Sequence, residues 1–131
     1  MSVNFTGVWN ANLDKSRLSG PLPKAISVKI EQSEAELEEE VTVTRLDGSE
    51  ERVVFKCWIS EQDRNLLNGR PVRGSARWMS DELVIESWIQ LGAREMYMCD
   101  CWSLSSDRQT LMMEHRNDDL AGQLTILDRV E

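Results

Sequence analysis

The sequence has few cysteines, few basic residues and no long apolar run. Its three cysteines are an odd number and do not indicate a disulfide framework. Fifteen lysines and arginines stand against 23 acidic residues, which leaves a net charge of −8. This balance disfavours non-specific binding to nucleic acid or to an anionic membrane surface, because both require a basic face.

No apolar stretch approaches the roughly 20 residues that a membrane-spanning helix needs. The first residues also lack the basic and apolar regions of an export signal. We therefore expect a cytoplasmic protein. Its 131 residues are enough for one domain with its own core, and we assign residues 1–131 to a single domain.

Motifs of known chemistry are missing as well. The sequence contains no Gly-x-Ser-x-Gly, no glycine-rich phosphate loop and no histidine-rich metal motif. We predict no cofactor, no metal and no catalytic residue, and an enzyme is less favoured than a binding protein.

Cys99 and Cys101 share one side of a strand and would suit a soft metal, but we favour two small buried apolar side chains. His115 is the only histidine, and a surface or network role is favoured over a haem ligand or a proton shuttle.

Apolar residues recur at every second position through most of the chain. Leu37, Val41 and Val43, for example, share one face of a predicted strand. Leu111, Met113 and His115 share one face of a later strand. Such alternation is typical of half-buried antiparallel strands, and the runs are separated by hairpin signals such as Asn-Gly and Asp-Gly. We predict an all-β fold: a single antiparallel up-and-down β-barrel of about eight to ten strands, with little or no helix.

Two segments leave alternatives open. The run after Ser33 carries a helix capping box, but its apolar parity favours a hairpin turn near Ser33–Ala35. The six glutamates from position 31 to 40 are interpreted as a solvated strand edge that resists aggregation. Prolines and glycine in segment 14–24 exclude a long helix there, although one helical turn fits, with Asp14 as its N-cap.

The opening of the chain carries a resemblance. Gly7-Val8-Trp9 opens the first predicted strand, and Asp14-Lys15-Ser16 and a Gly-Pro turn follow. This order resembles the calycin group of lipocalins and fatty-acid-binding proteins, and more closely the small bacterial lipocalin-like domains. The resemblance implies a lipocalin-like barrel in which Trp9 plugs one end and Gly7 lets neighbouring backbone come close.

The sequence departs from the fatty-acid-binding proteins in two places. The stretch between Leu13 and Ile26 is too short and too rich in proline and glycine for their two lid helices. The closing Arg129-Val130-Glu131 lacks their Arg-x-Tyr motif for a carboxylate. The resemblance therefore implies a container for a ligand without naming fatty acids as its contents.

Tryptophan makes up five of the eight aromatic residues. These tryptophans either line a ligand cavity or pack the core and the end of the barrel. We predict non-covalent binding of a small, largely apolar or amphipathic molecule inside the barrel. The candidate wall residues are Trp58, Trp78, Trp88, Tyr97, Met113 and His115, with Arg77 or Arg129 to orient a polar group. The alternation leaves open which strand face points inward.

Two other functions remain open. In the first, side chains fill the barrel and the protein is an interaction or assembly module that acts through its outer surface. Met112 and Met113 point to opposite faces of one strand, which would suit a homodimer. In the second, a small-molecule enzyme holds a convergent acid, base and histidine at the barrel mouth.

Overall fold

Ten strands form the fold in the computed structural model, which describes residues 3–61, 63–118 and 122–130. In chain order they are β1 (Gly7–Ala11), β2 (Ala25–Gln32), β3 (Glu36–Thr44), β4 (Glu50–Trp58), β5 (Asn65–Leu67), β6 (Arg70–Met79), β7 (Glu82–Leu91), β8 (Arg94–Leu104), β9 (Thr110–Asn117) and β10 (Gln123–Val130).

Each strand pairs with the next along the chain, and β1 closes the ring by pairing antiparallel with β10. Trp9, for example, stands opposite Arg129 across the β1–β10 pair. The prediction of a single antiparallel barrel of eight to ten strands is confirmed. The acidic run from 31 to 40, which we interpreted as a strand edge, covers the end of β2, a turn and the first half of β3. Both strands are paired on each side, because the barrel is closed. Within the described ranges no helix is long and apolar enough to cross a membrane.

The predicted hairpin signals form turns. Asn68 and Gly69 have φ angles of +51° and +79°, the left-handed pair that a two-residue hairpin turn requires. Gly48 also has a positive φ, and its N–H donates to the carbonyl of Arg45 at 2.9 Å. The Ser33 N–H donates to the carbonyl of Glu36 at 2.9 Å, so the chain turns there instead of starting a helix.

The irregular segment 12–24 joins β1 to β2 at one end of the barrel. Its single tight turn is closed by Asn12, whose side-chain oxygen accepts the Lys15 N–H at 3.2 Å. The prediction of Asp14 as the N-cap is therefore wrong by two positions. Arg17 forms an isolated bridge to Leu124, which ties the segment to β10. Helical lids are absent from this segment, as its proline and glycine content led us to expect.

The core lies at the opposite end. Trp9 is fully buried, and its indole N–H donates to the Phe5 carbonyl at 3.1 Å. Phe5 stacks on Trp78 with ring centroids 5.9 Å apart and meets Trp102 edge-on at 5.7 Å. Fully burying a side chain of this kind contributes on the order of 2 kcal/mol. This cluster closes one end of the barrel.

Glycine allows a close approach at two positions. A Cβ on Gly7 would lie 2.6 Å from Nη1 of Arg129, so a side chain approaches here instead of the neighbouring backbone that we expected. A Cβ on Gly74 would lie 2.0 Å from the backbone oxygen of Glu86, which leaves no space for any side chain. Gly74 therefore lets β6 and β7 come together where the sequence had pointed only to Gly7.

Candidate functional site

A cavity of about 790 Å³ occupies the barrel at the end opposite Trp9. A deeper part of about 160 Å³ continues from it, since Glu39, Asp100 and Met113 line both. The interior is therefore not filled by side chains. The volume falls in the range of 300–1,000 Å³ that is usual for small-molecule sites.

Strand alternation explains why the cavity wall is apolar. The inward positions of β2 and β3 carry Ile26, Val28, Val41 and Val43, each two residues from the next along its strand. The deeper part is lined by the inward side chains of five further strands: Val53, Phe55, Leu67, Val72, Ile85, Ile89, Met98 and Trp102. An apolar molecule entering this space would exchange water for apolar contacts over most of its surface.

The mouth is formed by the irregular segment and by the β3–β4 hairpin. Leu18, Leu22 and Leu46 line it, and Leu46 is 77% exposed. Arg45 also lines the mouth, where its guanidinium pairs with Glu51 at 2.6 Å. The rim thus presents apolar side chains beside a cation that already has a partner.

A hydrogen-bonded chain of polar side chains lies on the wall where β8 and β9 pair. Asp100 and His115 stand opposite each other across the two strands, and Nδ1 of His115 lies 2.7 Å from Oδ1 of Asp100. Nε2 of His115 lies 3.1 Å from Nδ2 of Asn117. The hydrogen bond to Asp100 raises the pKa of His115, and desolvation opposes part of that rise. Asp100 therefore orients the imidazole and favours its charged form.

Glu39 faces this pair from β3, on the opposite side of the barrel. Burial raises the pKa of the Glu39 carboxyl from 4.5 to about 8, and the negative charge of Asp100 adds to the rise. In the part of the chain that the structure describes, no group donates a hydrogen bond to the side-chain carboxyl of Glu39. Glu39 is half-buried and lines both parts of the cavity, so its accessible surface faces the cavity.

The chemistry available to this arrangement is proton exchange and polar anchoring. Cys57 lies below Glu39, but burial and the nearby carboxyl raise the pKa of its thiol to about 12, so it is not a thiolate at neutral pH. In residues 3–61, 63–118 and 122–130, no three metal-ligating side chains are grouped to hold a metal ion. The site is best described as an apolar cavity with two carboxyl groups and one imidazole in its wall.

Two of the eight predicted ligand-binding residues lie on the cavity wall. Met113 lines both parts of the cavity, and His115 lines the larger part. Trp78 and Arg129 belong instead to the closed end. Trp78 stacks on Phe5, and the Arg129 guanidinium lies 4.2 Å from the ring centroid of Trp9.

The other four predicted residues lie on the outer face, on the parity opposite to the cavity-lining positions. Trp58 donates its indole N–H to Glu36 at 3.1 Å, and the Arg64 guanidinium covers its ring. Trp88 packs against Tyr97 with ring centroids 5.2 Å apart. Tyr97 and Arg77 both bind the Glu86 carboxylate, and these bonds, led by that of Arg77, lower its pKa. Because their side chains point away from the interior, these four residues are placed where they cannot contact a ligand inside the barrel.

Cys99 and Cys101 also lie on the outer face, and both are half-buried. The prediction that both are small buried side chains is therefore wrong, since each is only half-buried. Burial, followed by the neighbouring Cys99, raises the pKa of Cys101 to about 11. Their position follows from the inward direction of Met98, Asp100 and Trp102 on the same strand.

Sequence reasoning missed Glu39 and Asp100 as site residues, although a signal for each is present. Glu39 falls between Leu37 and Val41 on the apolar parity of β3, and Asp100 falls between Met98 and Trp102 on the apolar parity of β8. A charged residue at an otherwise apolar position of a strand is unusual, because burying it is costly. That exception to the alternation marks a candidate site in a barrel.

The closed ten-stranded barrel with an interior cavity is a calycin-type fold, as the resemblance implied. Among solved structures it is similar to the fluorescent protein UnaG, with a TM-score of 0.66 and 14% sequence identity over 96% of this chain and 97% of that chain. A variant of UnaG with one asparagine replaced by alanine gives a TM-score of 0.66 at 14% identity, over 97% and 96% of the two chains. The variant with glutamine at that position gives 0.64 at 14% identity, over 96% of each chain. At this identity the likeness shows the fold alone.

No protein-family model matches the sequence, and no curated protein matches it.

Proposed function

We propose that this protein binds a small, largely apolar molecule non-covalently inside its barrel. The observation that carries the proposal is the cavity of about 790 Å³, open at one end and apolar over most of its wall. Side chains do not fill it, and the cluster around Trp9 closes its other end. The fold shared with UnaG agrees with a container for a ligand, but it does not name one.

Met113 and His115 are the predicted residues that the proposal retains as ligand contacts. Met113 lies where the two parts of the cavity meet, and its flexible thioether adapts to ligands of different shape. His115 offers a polar contact on the same strand. To these we add Glu39 and Asp100. The proposed ligand then has an apolar body that contacts the apolar wall and a polar group that contacts these side chains.

A neutral apolar fluorophore tests the proposal directly. N-phenyl-1-naphthylamine should increase in fluorescence on binding to the protein and should saturate at one molecule per chain. Val43→Trp places a large ring at the inward position near the mouth and should weaken binding at least tenfold. Thr42→Trp, one residue away on the outer face of β3, is the matched control and should bind as the wild type does. Equal binding by both variants and the wild type would show that the fluorophore sits elsewhere and would contradict the proposal.

Cellular context is also part of the proposal. Cys57, Cys99 and Cys101 are free thiols, which supports the cytoplasm, where thiols are kept reduced. A bacterial source follows from the resemblance alone.

A homodimer is supported by Val8 and Val130, which pair across β1 and β10 and expose apolar side chains on the outer face. Native mass spectrometry of freshly purified protein would report the number of subunits and the mass of any ligand retained.

A further inference from the structure

Among the residues that the structure describes, three side chains carry the charges of the cavity interior. Of the residues that line the cavity in the described chain, Glu39, Asp100 and His115 are the titratable groups of its interior, and Arg45 and Asp47 lie at the mouth. Arg45 is held by Glu51 at 2.6 Å and by Ser49 at 3.4 Å. The wall of the cavity, as far as the described residues form it, therefore has two carboxyl groups inside the mouth and no lysine or arginine.

Glu39, Asp100 and His115 together cannot give the cavity interior a net positive charge while Asp100 is ionised. A protonated His115 is neutralised by Asp100, its hydrogen-bond partner at 2.7 Å. Loss of the Glu39 proton then adds a negative charge without a partner. An anion entering the cavity would gain no unpaired cation in exchange for its lost hydration, whereas a cation would gain a carboxylate.

We propose that the ligand is an amphipathic amine, whose apolar body lies along the cavity wall and whose protonated nitrogen binds the Glu39 carboxylate. This inference rests on the proposed function, since it names the class of molecule that the cavity takes. Glu39 is the anchor because it lines both parts of the cavity and no group of the described chain donates a hydrogen bond to its carboxyl. An ammonium group supplies the missing donors together with the opposite charge.

Asp100 and His115 act on this anchor from across the barrel. Asp100 is hydrogen-bonded to His115, so it influences the Glu39 site through its negative charge and not as a direct hydrogen-bond acceptor for the ligand. The groups that face Glu39 are Asp100 from β8, His115 from β9 and the Cys57 thiol from β4, which stays protonated because its pKa is about 12. While His115 is neutral, the negative charge of Asp100 that opposes ionisation of Glu39 also attracts a cation to this part of the cavity.

Binding is then linked to a proton. The free protein holds a proton on Glu39 at neutral pH because the pKa of that carboxyl is about 8. The incoming ammonium group replaces it, and the proton leaves to the buffer while the amine keeps its own. Amine affinity should therefore rise by up to about tenfold per pH unit between pH 6 and 8 and level off above pH 8.

Three probes with the same apolar chain test the inference on the full protein: dodecylamine, dodecanol and dodecanoate, each below its micellar concentration. Their affinities are measured by displacement of N-phenyl-1-naphthylamine at pH 6, 7 and 8. We expect dodecylamine to bind at least tenfold more tightly than dodecanol at pH 8, and dodecanoate to bind more weakly than dodecanol. Calorimetry in buffers of different ionisation enthalpy should detect proton release with dodecylamine at pH 7 and none with dodecanol.

Glu39→Gln should remove the amine preference and its pH dependence, so that dodecylamine binds no more tightly than dodecanol at pH 6, 7 or 8. Glu38→Gln is the matched control, because it removes one negative charge at the adjacent, exposed position on the outer face of β3. It should keep the wild-type preference, which excludes general attraction to an acidic protein. Glu39→Gln keeps the side-chain shape and removes a buried acid, so the variant is expected to fold, which circular dichroism checks.

The outcomes separate the two proposals. Equal binding of dodecylamine and dodecanol by the wild type, or an unchanged preference in Glu39→Gln, would overturn the amine inference and leave the apolar container in place. Failure of all three probes to displace the fluorophore, together with unchanged fluorophore binding by Val43→Trp, would overturn both.

Discussion

Glu39 and Asp100 lie on strands that are five places apart in either direction round the ten-stranded barrel, yet both line the same cavity. The charge of Asp100 contributes to the rise in the pKa of Glu39 across that space. Water between the two walls weakens this interaction by screening, and an apolar ligand that displaces the water strengthens it. The predictions below follow from this relationship and from the packing that keeps the barrel open.

Stability should fall as the pH rises from about 4.5 to 8, because the Glu39 carboxyl has a higher pKa in the folded protein than its usual 4.5. The folded chain binds the proton more tightly than the unfolded chain in this window, so raising the pH favours unfolding. Each unit of the difference in pKa is worth at most about 1.4 kcal/mol, and water in the cavity reduces that value. Urea unfolding at pH 5, 6.5, 8 and 9 measures the trend.

Glu39→Gln should flatten this dependence and raise the free energy of unfolding at pH 8 by on the order of 1–3 kcal/mol, since it removes the cost of burying a charge. Glu38→Gln, exposed on the outer face of the same strand, should keep the wild-type slope. A Glu39→Gln profile that is parallel to the wild type would mean that Glu39 is hydrated as an ordinary surface carboxyl.

Asp100→Asn should lower the pKa of His115, because the hydrogen bond from the imidazole to a charged carboxylate is the main cause of its rise. The stability that this pair contributes is present below pH 6.5 and is lost as the pH rises through the folded pKa of His115. His115 is the only histidine, so a single imidazole signal in a proton NMR titration reports its pKa. Glu114→Gln removes a charge from the adjacent outward position on β9 and should leave the pKa nearly unchanged. A His115 pKa that stays raised in Asp100→Asn would contradict this assignment.

Substitutions on the two faces of the barrel should separate ligand contact from packing. Met113→Ala changes the wall where both parts of the cavity meet and should alter the affinity for N-phenyl-1-naphthylamine several-fold. Trp88→Ala removes the ring that packs on Tyr97 at the outer face and should lower stability by about 1 kcal/mol while leaving that affinity unchanged. A large loss of binding in Trp88→Ala, with Met113→Ala unaffected, would place the ligand on the outer surface.

The barrel was predictable because alternation and turn chemistry are local. Asn68-Gly69 takes the left-handed turn that its residues favour, and each apolar parity continues through its strand. The inward direction was harder to predict, since β8 carries Met96, Met98 and Trp102 on one parity and Tyr97, Cys99 and Cys101 on the other. With apolar side chains on both faces, the sequence pattern does not fix which face is the inner one.

The candidate site was predictable only in part for a related reason. Met113 and His115 follow Leu111 on one face of β9, so their common direction is evident from the sequence. The pairing of His115 with Asp100 depends on the register between β8 and β9, and the meeting with Glu39 depends on closure of the ring. Both are long-range relationships that no local pattern encodes. Glu39, a charged residue at an apolar position, is a local signal of the site, but it is hard to distinguish from the other glutamates between positions 31 and 40.

Gly74→Ala should destabilise the protein by about 2–4 kcal/mol, because overpacking against the backbone forces the strands apart. The added methyl group would lie 2.0 Å from the backbone oxygen of Glu86 on β7. Gly122→Ala is the matched control, since the nearest atoms to its Cβ are 3.7 Å or more away and belong to ordinary contacts. It should change stability by less than about 0.5 kcal/mol. Thermal unfolding of both variants beside the wild type measures the difference, and near-equal midpoints for all three would show that β6 and β7 can separate at this point without loss of packing.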